Sequence, residues 1–429
     1  MQLRKLIGLG IAALAAVAYG FTLDPAAEPA KADPVLRTAK GMIERGRLTF
    51  RHDTLGSEAF FTDAIRLNEA IRTVPPRTAL AVGLKVDSAA LPQELIRAIR
   101  KGKVDLDDPA TTAALLSLGA MVGVEAEVGK DGAIRDLGIT CAFCHSTVDN
   151  SVAPGIGERL DGWANRDLNV GAILSLAPNL QPFADLLGVD VATVRTVLQS
   201  WGPGRFDAHL NLDGKAFRPD GKTAAVLIPP AFGLAGVNLH TYEGWGSVTY
   251  WNAFVGNLEM NGKGTFFDPR LDDPVKHPVA AHNGFADVRN EPDLITPKLA
   301  DLHFYQLALA APVPPEGSFG AGGARRGRIL FAGKAQCGTC HVPPLFTEPG
   351  WNLHEPEEIG IDAFQADRGP EGRYRTTPLK GLWTHTKGGF YHDGRFATLL
   401  DVVNHYDAVR SLGLSAAEKA DLVEYLKSL

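Results

Sequence analysis

The chain has 429 residues, 45% of them hydrophobic and 21% charged, which is enough length and apolar material for two or three packed domains. A net charge of -6 and a pI near 6.1 leave no basic surplus for gripping a phosphate backbone, so nucleic acid is set aside as a partner.

Residues Met1–Lys5 open with basic side chains, and Leu6–Ala18 follows as an apolar run with small residues near Ala18 and Gly20. That is the pattern of a secretory signal, and the run is shorter than the roughly 20 residues a spanning helix needs. A signal peptide over residues 1–20 and a periplasmic or secreted protein are expected, with an uncleaved amino-terminal membrane anchor as the other reading. Residues 21–140 read as an amino-terminal segment. It contains Arg45-Gly46-Arg47-Leu48-Thr49-Phe50, which is echoed at Arg326-Gly327-Arg328-Ile329-Leu330-Phe331. The second copy reaches Cys337 after five residues, whereas about ninety separate the first from Cys141. The insert, near residues 52–136, carries apolar residues at helical spacing (Leu95, Ile96, Ile99, then Leu115, Leu116, Leu118) broken at Pro75-Pro76 and Pro92, which predicts a helical cap.

All four cysteines fall in Cys141-Ala142-Phe143-Cys144-His145 and Cys337-Gly338-Thr339-Cys340-His341. Two sulfurs at this spacing can reach the two vinyl groups of one haem, and the adjacent imidazole can turn to its iron. A thioredoxin-like pair needs no following His, and a four-sulfur zinc site would leave both histidines unexplained. Two covalent c-type haems are therefore expected, with His145 and His341 as proximal ligands. Residues 141–310 read as the first haem domain, the Pro/Gly-rich stretch 311–327 as a linker, and 328–429 as a second, cytochrome c-like haem domain.

Downstream of the first motif, Pro230-Ala-Phe-Gly-Leu234 and Tyr242-Glu243-Gly244 parallel Pro378-Leu-Lys-Gly-Leu382 and His392-Asp393-Gly394 after the second. The end of the chain carries a capping box, Ser415 to Glu418, before Leu422, Leu426 and Leu429 on one helical face. Few strand signals occur, so the fold class is mainly α: two haem domains with long loops and a helical insert in the amino half.

The run Arg326 to Phe331, Cys337 to His341, Thr377-Pro378-Leu379 and Phe390-Tyr-His-Asp-Gly-Arg-Phe-Ala-Thr-Leu399, followed by the closing helix, resembles the carboxyl domain of the bacterial di-haem cytochrome c peroxidase and MauG-type superfamily. The resemblance covers about the last 110 residues. The amino half is more divergent, and the wide separation of its motif from the second is similar to that in the di-haem rubber-oxygenase relatives.

The resemblance implies one electron-transfer haem and one that meets the oxidant, and it puts a distal ligand of the carboxyl-terminal haem at Tyr406, with His405 as rival. The methionines are Met1, Met42, Met121 and Met260, so the second domain holds none for a His/Met site. It further implies Arg395 as a haem propionate partner and His392 as a support for the propionates or the turn. The residue fourteen beyond Tyr242 is Gly256, which has no ligating side chain and so suggests an open iron in the first half. Asn257-Leu258-Glu259-Met260 then resembles the segment that holds the acid for breaking the O–O bond, making Glu259 the candidate catalytic residue. In the competing reading Glu259 is a surface charge and Met260 a core residue or ligand. Tyr242, Trp245 and Trp251 are candidates for an aromatic relay or for core packing, and His240 is the histidine placed to reach the first haem. A calcium ion between domains is a family habit with no calcium-loop pattern visible in this chain.

The leading reading is an exported di-haem oxidoreductase that activates hydrogen peroxide or dioxygen at the His145 haem. Its second haem exchanges electrons with a small cytochrome c or cupredoxin. A non-catalytic electron carrier and an oxygenase that cleaves an apolar organic substrate are the rivals.

Overall fold

Gly46 and Gly327, the middle residues of the two Arg-Gly-Arg repeats, each sit where a second helix passes too close for any side chain. In the computed structural model, which describes residues 33–387 and 389–429, Gly46 lies in the helix Pro34–His52 and Gly327 in the helix Ala321–Ala332. A Cβ on Gly46 would stand 2.0 Å from the Asp301 carbonyl oxygen and 2.7 Å from the Tyr305 Cβ. On Gly327 it would stand 2.0 Å from the Asp421 carbonyl oxygen and 2.8 Å from the Tyr425 Cβ. The crossing partners are the helices Leu299–Ala308 and Ala416–Lys427.

The contacts around the two crossings correspond residue by residue. Arg45 forks onto Asp301 at 2.6 and 2.9 Å, and Arg326 forks onto Asp421 at 2.7 and 2.6 Å. Phe50 meets Tyr305 at 5.5 Å between ring centroids, and Phe331 meets Tyr425 at 5.2 Å. The Gly233 amide donates to the Leu309 carbonyl at 2.7 Å and the Gly381 amide to the Leu429 carbonyl at 2.8 Å. Both glycines hold positive φ, 66° and 79°, which a side chain would strain. The internal repeat is therefore structural, and the helix Leu299–Ala308 closes the first half as the terminal helix closes the second.

This arrangement corrects two expected boundaries. The stretch 311–327 was read as a linker, but the helix begins at Ala321, Ala324 and Gly327 are buried in it, and the proposed boundary after residue 327 falls mid-helix. A run rich in glycine and alanine looks flexible by composition, yet small residues are what a close helix crossing needs. The boundary at residue 140 also separates nothing, because Phe50 packs in one cluster with Cys141, Ala142 and Tyr305. Residues 41–429 form one compact unit.

The insert contains the expected helices, Leu67–Ile71, Pro76–Ala81, Gln93–Arg100 and Pro109–Ser117, with Pro76 and Pro109 in first turns where a missing N–H costs nothing. It also contains an antiparallel hairpin, Val124–Val128 with Ile134–Ile139, which was not expected. Helix is 42% and strand 10%, so the mainly α class stands, and strands among the described residues pair only in twos. The terminal capping box is present, and Leu422 is buried as its helical face requires. The expected signal segment, residues 1–20, lies outside the described residues.

If the crossing carries the fold, Gly327→Val should lower the thermal midpoint strongly, at about 1–3 kcal/mol or more, because backbone on the facing helix must move. Arg326→Ala should cost less than about 1 kcal/mol, since Arg326 is exposed. Denaturation curves showing equal losses would contradict this.

Candidate functional site

The first motif leaves the hairpin at Thr140, whose amide donates to the Gly123 carbonyl at 3.0 Å, and turns once as the short helix Ala142–His145. Gly123 is required there, since a Cβ would stand 2.1 Å from the Phe143 nitrogen. Backbone bonds from Asn165 to the Cys144 carbonyl (2.9 Å) and from Gly162 to the His145 carbonyl (2.8 Å) hold the turn from the other side. Cys141, Cys144 and His145 face a cavity of about 300 Å³, otherwise lined mainly by apolar side chains. The insert supplies part of its wall through Phe61, Leu67, Leu116 and Leu137.

His145 Nδ1 donates to the Pro229 carbonyl at 3.2 Å, which leaves Nε2 as the free, lone-pair nitrogen. Burial pushes this imidazole down to about 4, so it is neutral and able to ligate a metal at physiological pH. His341 repeats the device, with Nδ1 on the Phe346 carbonyl at 3.0 Å and burial pushing it down to about 4. Burial pushes the thiols of Cys141 and Cys144 up to about 12 and that of Cys337 up to about 11. A redox-active thiol pair needs the opposite shift, so thiolate chemistry is disfavoured. Two neutral imidazoles, each held through Nδ1 and each beside a pair of cysteine sulfurs, fit a haem tethered at each motif.

Glu259 ends a turn of π-helix, Val255–Glu259, that continues the helix Val248–Phe254. It borders the cavity, so the surface-charge reading is corrected. Its Oε2 accepts from Asn211 Nδ2 at 3.2 Å, and its Oε1 is buried with no partner. Burial, with the Asp207 carboxylate adding repulsion, pushes the carboxyl well above the usual range. Gly256 lines the same cavity, and Met260 is packed against Leu55 and Ile295. His240 also reaches the cavity, with Nε2 on the Val237 carbonyl at 3.2 Å.

Beside the cavity lies a buried polar network that sequence reasoning missed. His209 Nε2 is 2.8 Å from Glu243 Oε1, and Gln365 Nε2 donates to the same oxygen at 2.9 Å. Burial opposes ionisation of Glu243, but His209 and Gln365 outweigh it and bring the carboxyl down to about 2. Arg368 pairs with Asp207 at 2.9 Å and Asp213 at 2.8 Å. The aromatic cluster divides: Trp245 and Trp251 pack at 5.9 Å, whereas Tyr242 pairs with His392 at 6.0 Å. A second tryptophan pair, Trp163 and Trp383 at 5.4 Å, joins the two halves and carried no spacing signal.

At the second motif, Tyr406 lies on the helix Leu399–Arg410, its ring 6.4 Å from Tyr391. Burial raises its hydroxyl, Tyr391 opposes, and the nearby Cys340 and Cys337 sulfurs add to the rise. The rival His405 is tied through Nε2 to the Ile359 carbonyl at 2.8 Å and packs on Phe396. Arg395 was expected to meet propionates, but its guanidinium is taken up by Asp393 (3.0 Å) and Asp362 (2.5 Å), which Arg218 also bridges. Among the described residues the one cluster of three metal-capable side chains is Cys340, Glu348 and His354, and its sulfur and imidazole suit no calcium. No helix among the described residues is long and apolar enough to cross a membrane.

Two equivalent helical frames, each presenting Cys-x-x-Cys-His, define a mainly helical haem-binding redox protein. No protein-family model matches the chain. It is 27% identical over 235 residues to methylamine utilization protein MauG of Methylorubrum extorquens, covering 47% of this chain and 63% of the relative. It is 28% identical over 149 residues to cytochrome-c peroxidase IdrP1 of Denitromonas iodatirespirans, covering 25% of this chain and 40% of the relative. The matches thus span less than two thirds of either relative. They make the chain similar, at modest identity, to proteins of the bacterial di-haem cytochrome c peroxidase and MauG-type superfamily. Among solved structures, a Kuenenia stuttgartiensis hydrazine synthase pressurised with xenon aligns with TM-score 0.28 and 18% identity over 52% of this chain and 86% of that one. A MauG-like protein associated with microbial copper homeostasis aligns with TM-score 0.28 and 18% identity over 54% and 79%. Scores this low fix no fold.

The raised carboxyl of Glu259 has a consequence for stability. Its folded value lies above the unfolded value of about 4.3, so its contribution is intact below that pH and falls away as pH rises toward the folded value. Glu259→Gln should therefore gain thermal stability relative to wild type as pH goes from about 5 to about 8. A constant difference in melting temperature across that range would contradict the assignment.

Proposed function

We propose that the chain is an exported di-haem c-type cytochrome oxidoreductase of the peroxidase kind, with Glu259 as the acid of its reactive site. The observation that carries this reading is the unpartnered, buried Oε1 of Glu259 in the wall of the cavity that Cys141, Cys144 and His145 share. When bound, the haem supplies the redox-active iron, and its two faces decide between electron transfer and chemistry on a small molecule. His145 Nε2 serves as its proximal ligand on one side. Glu259, its carboxyl raised by burial, delivers a proton from Oε1 to the departing oxygen of hydrogen peroxide, and Asn211 steadies the other oxygen of the carboxyl. Two electrons and two protons convert one peroxide to two waters, so a reduced partner must supply the electrons; a small cytochrome c or cupredoxin is the class that fits. At the second site His341 and Tyr406 are the residues that would hold the other haem, which would supply electron transfer there. Trp163 and Trp383 stand between the halves as packed aromatics.

A second reading is favoured by a separate observation. A cavity of about 270 Å³, lined by Phe60, Phe183, Leu198 and Trp201, adjoins the first and shares Phe61, Phe206 and Glu259 with it. An apolar organic molecule held there would lie beside the reactive site, with dioxygen in place of peroxide as oxidant.

Protein from a cytochrome-maturing host should show a Soret band and two haem mass increments, and Glu259→Gln should lower peroxide turnover against reduced cytochrome c at least about 100-fold. Full activity in that variant would remove Glu259 from the chemistry. Tyr406→Phe should change the resting optical and EPR spectrum of one haem and leave the other alone. An unaltered spectrum would show that Tyr406 is a packing residue.

A further inference from the structure

Three guanidinium groups, Arg166, Arg205 and Arg375, act together on the Tyr242 hydroxyl, where the first half meets residues 385–393 of the second. Two of them are occupied. Arg205 Nη1 donates to the Asp393 carbonyl at 2.9 Å, and Arg375 donates to the carbonyls of Thr241 and Leu239. Arg166 is different: it meets the Tyr242 hydroxyl, but no carboxylate, and its Nε and Nη1 are both buried with no partner.

The nearby carboxylates are committed elsewhere. Glu243 is held by His209 and Gln365, Asp393 by Arg218 and Arg395, and Asp167 by Lys85 and Lys387. A cation without a counter-charge in such surroundings is strongly unfavourable, and two cationic neighbours make it more so. The missing partner is therefore an oxyanion, and the backbone says which site it belongs to. Arg166 follows Asn165, whose amide is fixed to the Cys144 carbonyl at 2.9 Å, and its guanidinium meets the hydroxyl of Tyr242, which lines the cavity of the first motif.

We propose that Arg166 receives a propionate carboxylate of the haem tethered at Cys141 and Cys144, with Arg205 and Arg375 completing a cationic boundary between the halves. The inference rests on the two-haem reading above. A guanidinium suits it, since its planar fork matches a carboxylate with two parallel hydrogen bonds.

The test is potentiometric titration of the full chain carrying both haems, as wild type, Arg166→Gln and Arg166→Lys, in oxyanion-free buffer and again with added inorganic phosphate. Arg166→Gln should lower the midpoint potential of one haem, because losing the cation favours the more positive oxidised state, and phosphate should not move the wild type. Resonance Raman should show a shifted propionate-bending band in Arg166→Lys, which keeps the charge but loses the fork. Unchanged potentials and an unchanged band in variants with both haems would overturn the proposal. A wild-type potential that follows phosphate, while that of Arg166→Gln does not, would also overturn it by making the ligand a soluble oxyanion. Wild-type protein without two haem increments is a different result, and it sinks the two-haem reading itself.

Discussion

Backbone-to-backbone approach at Gly46 and Gly327 is the constraint on which the site geometry depends. Each glycine brings its helix within contact of a carbonyl on the closing helix, at Asp301 and Asp421, and a turn later the same helix presents an aromatic ring. Phe50 lies in one cluster with Cys141 and Ala142, and Phe331 stands 6.5 Å from the His341 ring. The helix that makes the close crossing is thus the helix that backs the Cys-x-x-Cys-His turn. A side chain at either glycine would separate the helices and withdraw that ring, so the crossing and the orientation of the imidazole are one mechanical unit.

Equal frames do not make equal sites, and the differences lie in what fills the other side. In the first half the insert walls off an apolar cavity, Gly256 offers no ligand, and a carboxyl raised by burial sits at its edge. In the second half a helix capped by Thr398 and Asp401 brings Tyr406 close to the cysteine pair and commits His405 to a carbonyl. One frame faces an apolar cavity, and the other faces a tyrosine.

How much of this was legible depended on whether the signal was local. Both haem motifs, the capping box at Ser415 and the helical periodicity of the insert depend on residues a few positions apart, and all are readable in the chain. The hairpin had a local signal too, in the alternation Val124-Glu125-Ala126-Glu127-Val128 before a turn at Gly132 with φ 75°, but a helical expectation covered it. The closing helix of the first half was visible only by comparing Asp301-Leu302 and Tyr305 with Asp421-Leu422 and Tyr425, since the two helices lie at different distances from their motifs. The partners of Arg395 and Arg166 were not legible, because an arginine's partner is a matter of geometry. Asp393, two residues before Arg395, captures it, and no carboxylate takes the buried Nε and Nη1 of Arg166.

The polar network between the halves was beyond any pattern, and it explains why the halves form one unit. Arg368 and Gln365 belong to the second half, and their partners Asp207, Asp213 and Glu243 belong to the first. Buried ion pairs contribute little net stability, but removing one member strands the others at a cost of about 3–5 kcal/mol. Such a network does little to drive association and a great deal to penalise every arrangement except one. It lies beside the first cavity, where a shift of an ångström between the halves would pull Gln365 from Glu243 and Arg368 from Asp207 and Asp213. Fixing the second half against the first by buried charges, instead of apolar surface alone, makes the relative position of the two cofactor sites a condition of folding.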